Sequence, residues 1–173
     1  TVVRDKIPVN TVEASYIIRP GVGYIRIGSF GATTHKEFLD CMTQLKSQGM
    51  TSLLLDLQAN GGGYLQAAVD VANELLQQGD LIVYTKGRNA ADQRYTAKGN
   101  GTFLDGKVVV LVDEYSASAA EIVTGAIQDN DRGWVVGRRT FGKGLVQRPI
   151  NLPDGSMIRL TISHYYTPSG RCI

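Results

Sequence analysis

The run Val108-Val109-Val110-Leu111-Val112, continued by Asp113-Glu114-Tyr115-Ser116-Ala117-Ser118-Ala119-Ala120-Glu121-Ile122, decides the fold. Five consecutive apolar residues with no polar alternation describe a strand covered on both faces, as the strands of a parallel sheet are. The small residues from Ser116 to Ala126 then read as a helix that packs closely on its surroundings. A buried strand feeding a helix through a short turn is the building unit of an α/β domain.

Outward from this unit the pattern repeats. Gly23-Tyr24-Ile25-Arg26-Ile27-Gly28 alternates apolar and polar residues and marks a strand. Thr34 as an N-cap and Gly49 as a stop frame a helix from about His35 to Gln48, with Phe38, Leu39, Met42 and Leu45 on one face. Ser52 to Leu57 is a second unalternated apolar strand, expected to be covered on both faces, and a glycine-rich turn follows it. Tyr64 to Gln78 carries Leu65, Ala68, Val69, Ala72, Leu75 and Leu76 at helical spacing, with Gly79 as its end. Leu81 to Thr85, Trp134 to Val136 and Met157 to Ile162 read as further strands; residues 86–106 read as a polar loop and Pro153-Asp154-Gly155 as a turn. Alternating strands and helices over 173 residues predict one α/β domain, long enough to bury a sizeable core.

Composition narrows the function. Eighteen Lys and Arg against sixteen Asp and Glu leave a net charge of +2 without a dense basic run, which argues against nucleic acid as the main partner. Two cysteines, Cys41 and Cys172, are too few for a disulfide framework or a thiolate zinc site. Cys41 lies in the apolar stripe of its helix and is expected to be a packed core thiol. No apolar run reaches the roughly 18 residues needed to span a bilayer, and Thr1-Val2-Val3-Arg4 does not open a signal peptide.

Three turns at strand ends hold the chemically capable residues. Ser118 with Glu121 three residues on forms a capping box, which alone explains a serine there. A serine at a helix N-terminus also sits beside unpaired backbone amides that can stabilise an oxyanion. Lys143 closes Gly137-Arg138-Arg139-Thr140-Phe141-Gly142-Lys143, the opening of a phosphate-binding loop. Gly144 follows where that loop needs Ser or Thr, and Leu145-Val146-Gln147 continues as a strand, so nucleotide binding is disfavoured. A lysine flanked by glycines serves as a general base if burial disfavours its charged form; otherwise Lys143 is a solvated surface residue. Asn60-Gly61-Gly62-Gly63 suits presentation of backbone amides to an anion, or is simply a permissive connection. Of the two histidines, His35 falls in a helix's first turn and His164 in or after a late strand, and both read as structural rather than as members of a triad.

Taken together, Ser116-Ala117-Ser118-Ala119-Ala120-Glu121-Ile122 and Thr140-Phe141-Gly142-Lys143-Gly144-Leu145-Val146-Gln147 resemble the paired signatures of the C-terminal processing peptidases, or tail-specific proteases. The resemblance implies Ser118 as nucleophile, Lys143 as base 25 residues on, and Gln147 as the glutamine that orients the lysine. Asp56-Leu57-Gln58-Ala59-Asn60-Gly61-Gly62-Gly63 is similar to the family's Asp-Leu-Arg-x-Asn-Pro-Gly-Gly segment, which implies an oxyanion hole from the amides of Gly62 and Ala119. Tyr165 to Arg171 extends the likeness to the end of the chain. Gln58, Gly61 and Ala120 depart from the usual arginine, proline and serine.

The family further implies a crotonase-like or ClpP-like core of strand–helix units and a Ser-Lys serine endopeptidase acting near substrate C-termini. It implies no metal or organic cofactor, and an extracytoplasmic, envelope-associated place in a bacterium. Residues 1–15 then correspond to a lead-in segment following a PDZ domain expected in the same parent chain, and residues 16–173 to the catalytic core. A non-catalytic peptide-binding module and a crotonase-type acyl-CoA enzyme are the rival functions on such a fold.

Overall fold

The structure, a computed structural model, describes residues 10–173. In chain order the elements are β1 (Val12–Arg19), β2 (Val22–Ile27), α1 (Thr34–Ser47), β3 (Ser52–Asp56), α2 (Leu65–Asn73), β4 (Leu81–Lys86), β5 (Gln93–Thr96), β6 (Lys107–Val112), α3 (Ala119–Asp129), β7 (Trp134–Gly137), β8 (Leu145–Asn151) and β9 (Met157–Tyr166). They form a mixed α/β domain with two sheets. The first has the order β1-β2-β3-β6-β7 and is parallel except for β1; the second, β5-β4-β9-β8, is antiparallel throughout.

Register explains how the first sheet builds the core. Ile25 pairs with Leu55 and Leu55 with Val110, so three fully buried side chains share one layer. Leu53 and Val108 form the layer beside it. Against them lie Phe38, Met42 and Leu45 of α1, Ala68, Val71 and Ala72 of α2, and α3, which is buried from Ala119 to Ile127. Ala119, Ala120, Gly125 and Ala126 along α3 allow its close approach.

The opposite face of this sheet corrects one expectation. β3 and β6 alternate between buried and half-buried residues, because the helices pack on one side only. Leu54, Val109 and Leu111 are half-buried, and Trp134 is 77% exposed beside them. Cys41 is likewise partly buried against the core, not enclosed by it.

Three boundaries also differ. α2 ends at Asn73, yet Leu75 and Leu76 are fully buried in the turn beyond, so their apolar spacing extends past the helix that it predicted. α3 starts at Ala119 because residues 113–118 form a turn. β5 occupies part of the expected polar loop as an edge strand, whose Gln93, Arg94 and Thr96 are exposed. Of the expected lead-in segment, residues 1–9 lie outside the described residues; β1 then runs across residue 15 without a break. Among the described residues no helix is long and apolar enough to cross a membrane.

Candidate active site

The parallel strands β3, β6 and β7 release their chains at the same sheet edge, into the turns 57–64, 113–118 and 138–144. That edge, beyond the carboxyl ends of parallel strands, is where open α/β sheets place ligands. The three turns are those marked out in the sequence. Hydrogen bonds join them to one another.

Ser118 precedes α3 with φ +56° and ψ −111°. A positive φ is uncommon for a residue with a side chain, and such backbone persists only where its surroundings enforce it. The enforcement is visible: the Ser118 N–H donates to Glu121 Oε2 at 2.7 Å, which is the glutamate half of the capping box. In the other half the Ser118 side chain approaches the Glu121 amide without closing a full hydrogen bond. Ser118 remains half-buried, so its hydroxyl is reachable. The amide of Ala119 has no hydrogen-bond partner among the described residues.

Gly62 lies directly against this serine turn. A Cβ at position 62 would stand 2.7 Å from Ala117 O, 2.7 Å from Ser118 Cβ and 2.9 Å from Ala119 N, and φ is +95°. Only glycine permits that approach. Gly63, with φ +146°, is held as tightly on its other side, where a Cβ would meet Phe30 O at 2.0 Å. The turn is braced by Asn60, fully buried, whose Nδ2 donates to Ile27 O at 2.7 Å. Asn60 Oδ1 accepts the Gly62 N–H at 2.8 Å, so one of the two amides assigned to the oxyanion hole is engaged within its own turn.

Below the turn, Asp56 accepts hydrogen bonds from Tyr24 Oη at 2.6 Å and from the Gln58 N–H at 2.9 Å. Burial, reinforced by the Asp56 carboxylate, pushes the Tyr24 hydroxyl up to about 12. Gln58 supplies no guanidinium here. Arg26 of β2 reaches the same place, its Nη1 at 3.4 Å from Asp56 Oδ2 and its Nη2 at 3.5 Å from Gln58 O.

Cross-links between the first two turns are numerous. Ser116 Oγ donates to Leu57 O at 2.8 Å, the Ala117 N–H to Asn60 O at 2.8 Å, and the Ala59 N–H to both carboxylate oxygens of Asp113 at 3.0 Å. The lysine turn is joined through Glu121. This carboxylate, 5% exposed, accepts the Gly142 N–H at 2.6 Å and the Lys143 N–H at 2.8 Å in addition to that of Ser118. The Phe141 N–H also donates to Ser116 O at 3.0 Å.

Glu121 is therefore more than a cap. Its link to residues 21 and 22 positions further on carries no local sequence signal. Asp113 and Ser116 carry a local signal of their own, since Asp-x-x-Ser is a spacing in which side chains close turns on nearby backbone amides.

The side chains on the lysine side are less constrained. Lys143 is exposed, so the burial expected for a lysine base is not met: its turn runs over the surface, and nothing among the described residues covers it. No hydrogen bond or ion pair engages its Nζ among the described residues. Gln147, on β8, donates through Nε2 to Thr161 Oγ1 at 3.5 Å, and among the described residues its Oε1 accepts no hydrogen bond from Lys143 Nζ. His35 pairs with the buried Glu74 at 2.9 Å between α1 and α2, and His164 stands opposite Leu145 with Nδ1 3.9 Å from Cys172 Sγ. His35 is half-buried between two helices and His164 is exposed, and among the described residues neither hydrogen-bonds to Ser118.

The sequence profile of peptidase family S41 matches residues 21–173. The chain is 45% identical over 152 residues to a carboxyl-terminal-processing protease of Synechocystis sp., covering 87% of this chain and 35% of that protein. It is 43% identical over 169 residues to the protein of the same name in Picosynechococcus sp., covering 96% and 40%. It thus spans well under half the length of these relatives. Among solved structures, a photosystem II D1 C-terminal processing protease superposes with a TM-score of 0.86 at 35% identity, covering 98% of this chain and 47% of the other. A putative S41 protease of Bacteroides fragilis shares the fold, with a TM-score of 0.79 at 22% identity. With both signatures seated on one sheet edge and the match running nearly from end to end, the chain belongs to peptidase family S41.

Proposed function

We propose that this chain is the catalytic core of a serine endopeptidase that cleaves protein substrates near their C-termini through a Ser118–Lys143 dyad. Uncharged Lys143 takes the proton of Ser118 Oγ, which attacks the peptide carbonyl carbon. The amides of Gly62 and Ala119 hold the oxyanion; the C–N bond breaks, and the departing amine takes the proton back from Lys143. Water then hydrolyses the acyl-enzyme by the same route. Gln147 orients Lys143.

The observation that carries this reading is the Glu121 carboxylate, which holds the backbone of the nucleophile and of the base at once. A helix cap alone requires only the first of those contacts. Three features of the chain as it stands set conditions on the working state: the Gly62 amide turns from Asn60 Oδ1 to the oxyanion, Gln147 turns from Thr161 to Lys143, and Lys143 is covered. A substrate lying over the turns supplies that cover and excludes water from the amine.

The same reading takes the two-sheet α/β core as crotonase-like or ClpP-like. It takes residues 1–15 as the lead-in from a PDZ domain of the parent chain, residues 16–173 as the peptidase core, and the bacterial envelope outside the cytoplasm as the place of work. A fluorophosphonate probe tests the dyad. Ser118 is labelled in the unaltered protein, and both Ser118→Ala and Lys143→Ala abolish labelling while circular dichroism is unchanged. Undiminished labelling of the Lys143 variant, or an activity profile rising through about 6.5 as for an ordinary histidine, overturns the assignment.

A further inference from the structure

We propose that Asp113 is a positioning residue for the oxyanion hole: its carboxylate fixes the turn that carries Gly62 against the turn that carries Ala119. The inference rests on the acyl-transfer reading above and adds to it a residue outside both signature motifs.

Asp113 follows β6 and stands between the two turns. Toward its own turn, Oδ1 accepts the N–H groups of Tyr115 and Ser116 at 3.0 Å each and lies 3.2 Å from Ser116 Oγ. Toward the neighbouring turn, both its oxygens accept the Ala59 N–H at 3.0 Å. Ser116 lies three residues before Ala119, and Ala59 three residues before Gly62. One rigid group thus sets the relative position of the two proposed donors.

The grip also answers a local cost. Ala59 has φ +58°, a left-handed conformation that an alanine holds only under outside restraint. The Asp113 carboxylate supplies that restraint. No lysine or arginine pairs with it among the described residues, and the N–H groups of Ala59, Tyr115 and Ser116 satisfy its charge. Burial pushes its carboxyl up, but the hydrogen bonds from Ala59, Tyr115 and Ser116 outweigh burial and hold it below the usual carboxylate range.

Position and charge make opposite predictions. A bare negative charge near a developing oxyanion opposes it, so if Asp113 acted through its charge, Asp113→Asn would raise turnover. If Asp113 acts by position, Asp113→Asn lowers turnover, because neutral hydrogen bonds hold the turns about half as strongly as charge-assisted ones.

The test uses the natural chain that carries this sequence, with Asp113→Ala and Asp113→Asn compared for kcat and KM on a peptide substrate. Inhibition by a peptide boronate, whose tetrahedral adduct puts an oxygen in the oxyanion hole, and thermal stability are measured alongside. Expected is a fall in kcat of about 10²-fold for Asp113→Ala, comparable to losing one oxyanion donor, and of about 10-fold for Asp113→Asn. Boronate affinity falls in step, while KM and the affinity for a product peptide hold within about twofold. Asp113→Asn keeps an acceptor for every N–H now on Oδ1, and so remains the decisive variant should Asp113→Ala fail to fold. Unchanged kcat and boronate affinity in a folded Asp113→Asn, or a rise in KM alone, overturns the inference. If Ser118→Ala and Lys143→Ala leave turnover intact, the acyl-transfer reading itself falls; if they abolish it and the Asp113 variants lose nothing, only the role of Asp113 falls.

Discussion

The two sides of the candidate site are built differently. On the nucleophile side, the turns 57–64 and 113–118 leave a sheet whose inward residues are almost fully buried, and side-chain oxygens of Asp113 and Ser116, with the backbone carbonyl of Asn60, lock them together. On the base side, Lys143 precedes the β8–β9 hairpin, where Leu145, Ile150, Met157, Ile158 and Leu160 are all 40% or more exposed. The first side has a firmly held backbone, but its Gly62 N–H is engaged by Asn60 Oδ1, so one of the two proposed oxyanion donors must turn before the pair is preorganised. The second depends on a few backbone bonds to the first. On the proposed reading, the backbone of Ser118 is held in place while activity depends on where the lysine is placed.

Glu121 is where the two sides meet, and its removal breaks the comparison most severely. Glu121→Ala leaves the N–H groups of Ser118, Gly142 and Lys143 without their acceptor in a buried site. Each orphaned donor costs about 1–3 kcal/mol, so a loss of about 3 kcal/mol or more is expected in urea denaturation. Fluorophosphonate labelling should be lost with it. Glu121→Gln is the finer probe, since it keeps one oxygen and must give up bonds at the other. It should retain the fold while losing most of its labelling rate, and a Glu121→Gln protein that labels at the native rate would show that the lysine turn needs no such tether.

Gly62→Ala tests the nucleophile side alone. The added methyl runs into Ala117 O, Ser118 Cβ and Ala119 N, at a φ that L-residues avoid. The strain costs about 1–3 kcal/mol, and spreading the two donors apart should lower kcat by about 10²–10³, with KM little changed. If Gly62→Ala is fully active, the amides beside it are not where the oxyanion sits.

These two residues also show what could be seen in the sequence. β3, β6 and α1 were legible because their apolar runs are dense and their stops are glycines or polar turns. Ser118, Lys143 and the Asn60–Gly63 turn were legible as residue types at strand ends. Glu121 was legible only as a cap, since that contact spans three residues, whereas its hold on Gly142 and Lys143 exists only once β7 has been laid beside β6. Asp113 was not legible as a bridge, because its partner Ala59 is 54 positions away. β5 escaped because its side chains are mostly solvated and give no apolar period. The exposure of Lys143 could not be read either, as burial belongs to the assembled fold rather than to flanking glycines.

A smaller effect probes how the end of the chain supports the base side. Asp129 accepts hydrogen bonds from Ser169 N–H at 3.0 Å and Ser169 Oγ at 2.7 Å, and pairs with Arg171. The turn it holds leads to Ile173, whose carbonyl packs against Gly144, next to Lys143. Burial raises the Asp129 carboxyl, but the Thr167 and Ser169 hydrogen bonds and the Arg171 charge hold it below the usual range. A lowered folded pKa means a contribution complete above the unfolded value and lost as pH falls through the folded one. The gap in melting temperature between the natural protein and Asp129→Asn should therefore be constant above about pH 5 and close below about pH 3.9. A gap that instead widens in acid would mean the carboxylate is not stabilised by its partners.

The smallest effect is expected where apolar residues are most conspicuous. Met157 is 59% exposed and Leu160 49% exposed on β9, while Leu55 of β3 is fully buried. Hydrophobicity is alike in the three, but only Leu55 loses buried contacts on truncation. Leu55→Ala should cost about 2–5 kcal/mol, whereas Met157→Ser and Leu160→Ser should stay within about 0.5 kcal/mol. Urea midpoints measured at two protein concentrations make the contrast sharp. Were Leu160→Ser to cost as much as Leu55→Ala, and the midpoint to shift with concentration, the hairpin face would be covered in solution by a second copy. The base side would then be as firmly fixed as the nucleophile side, and the difference between them would disappear.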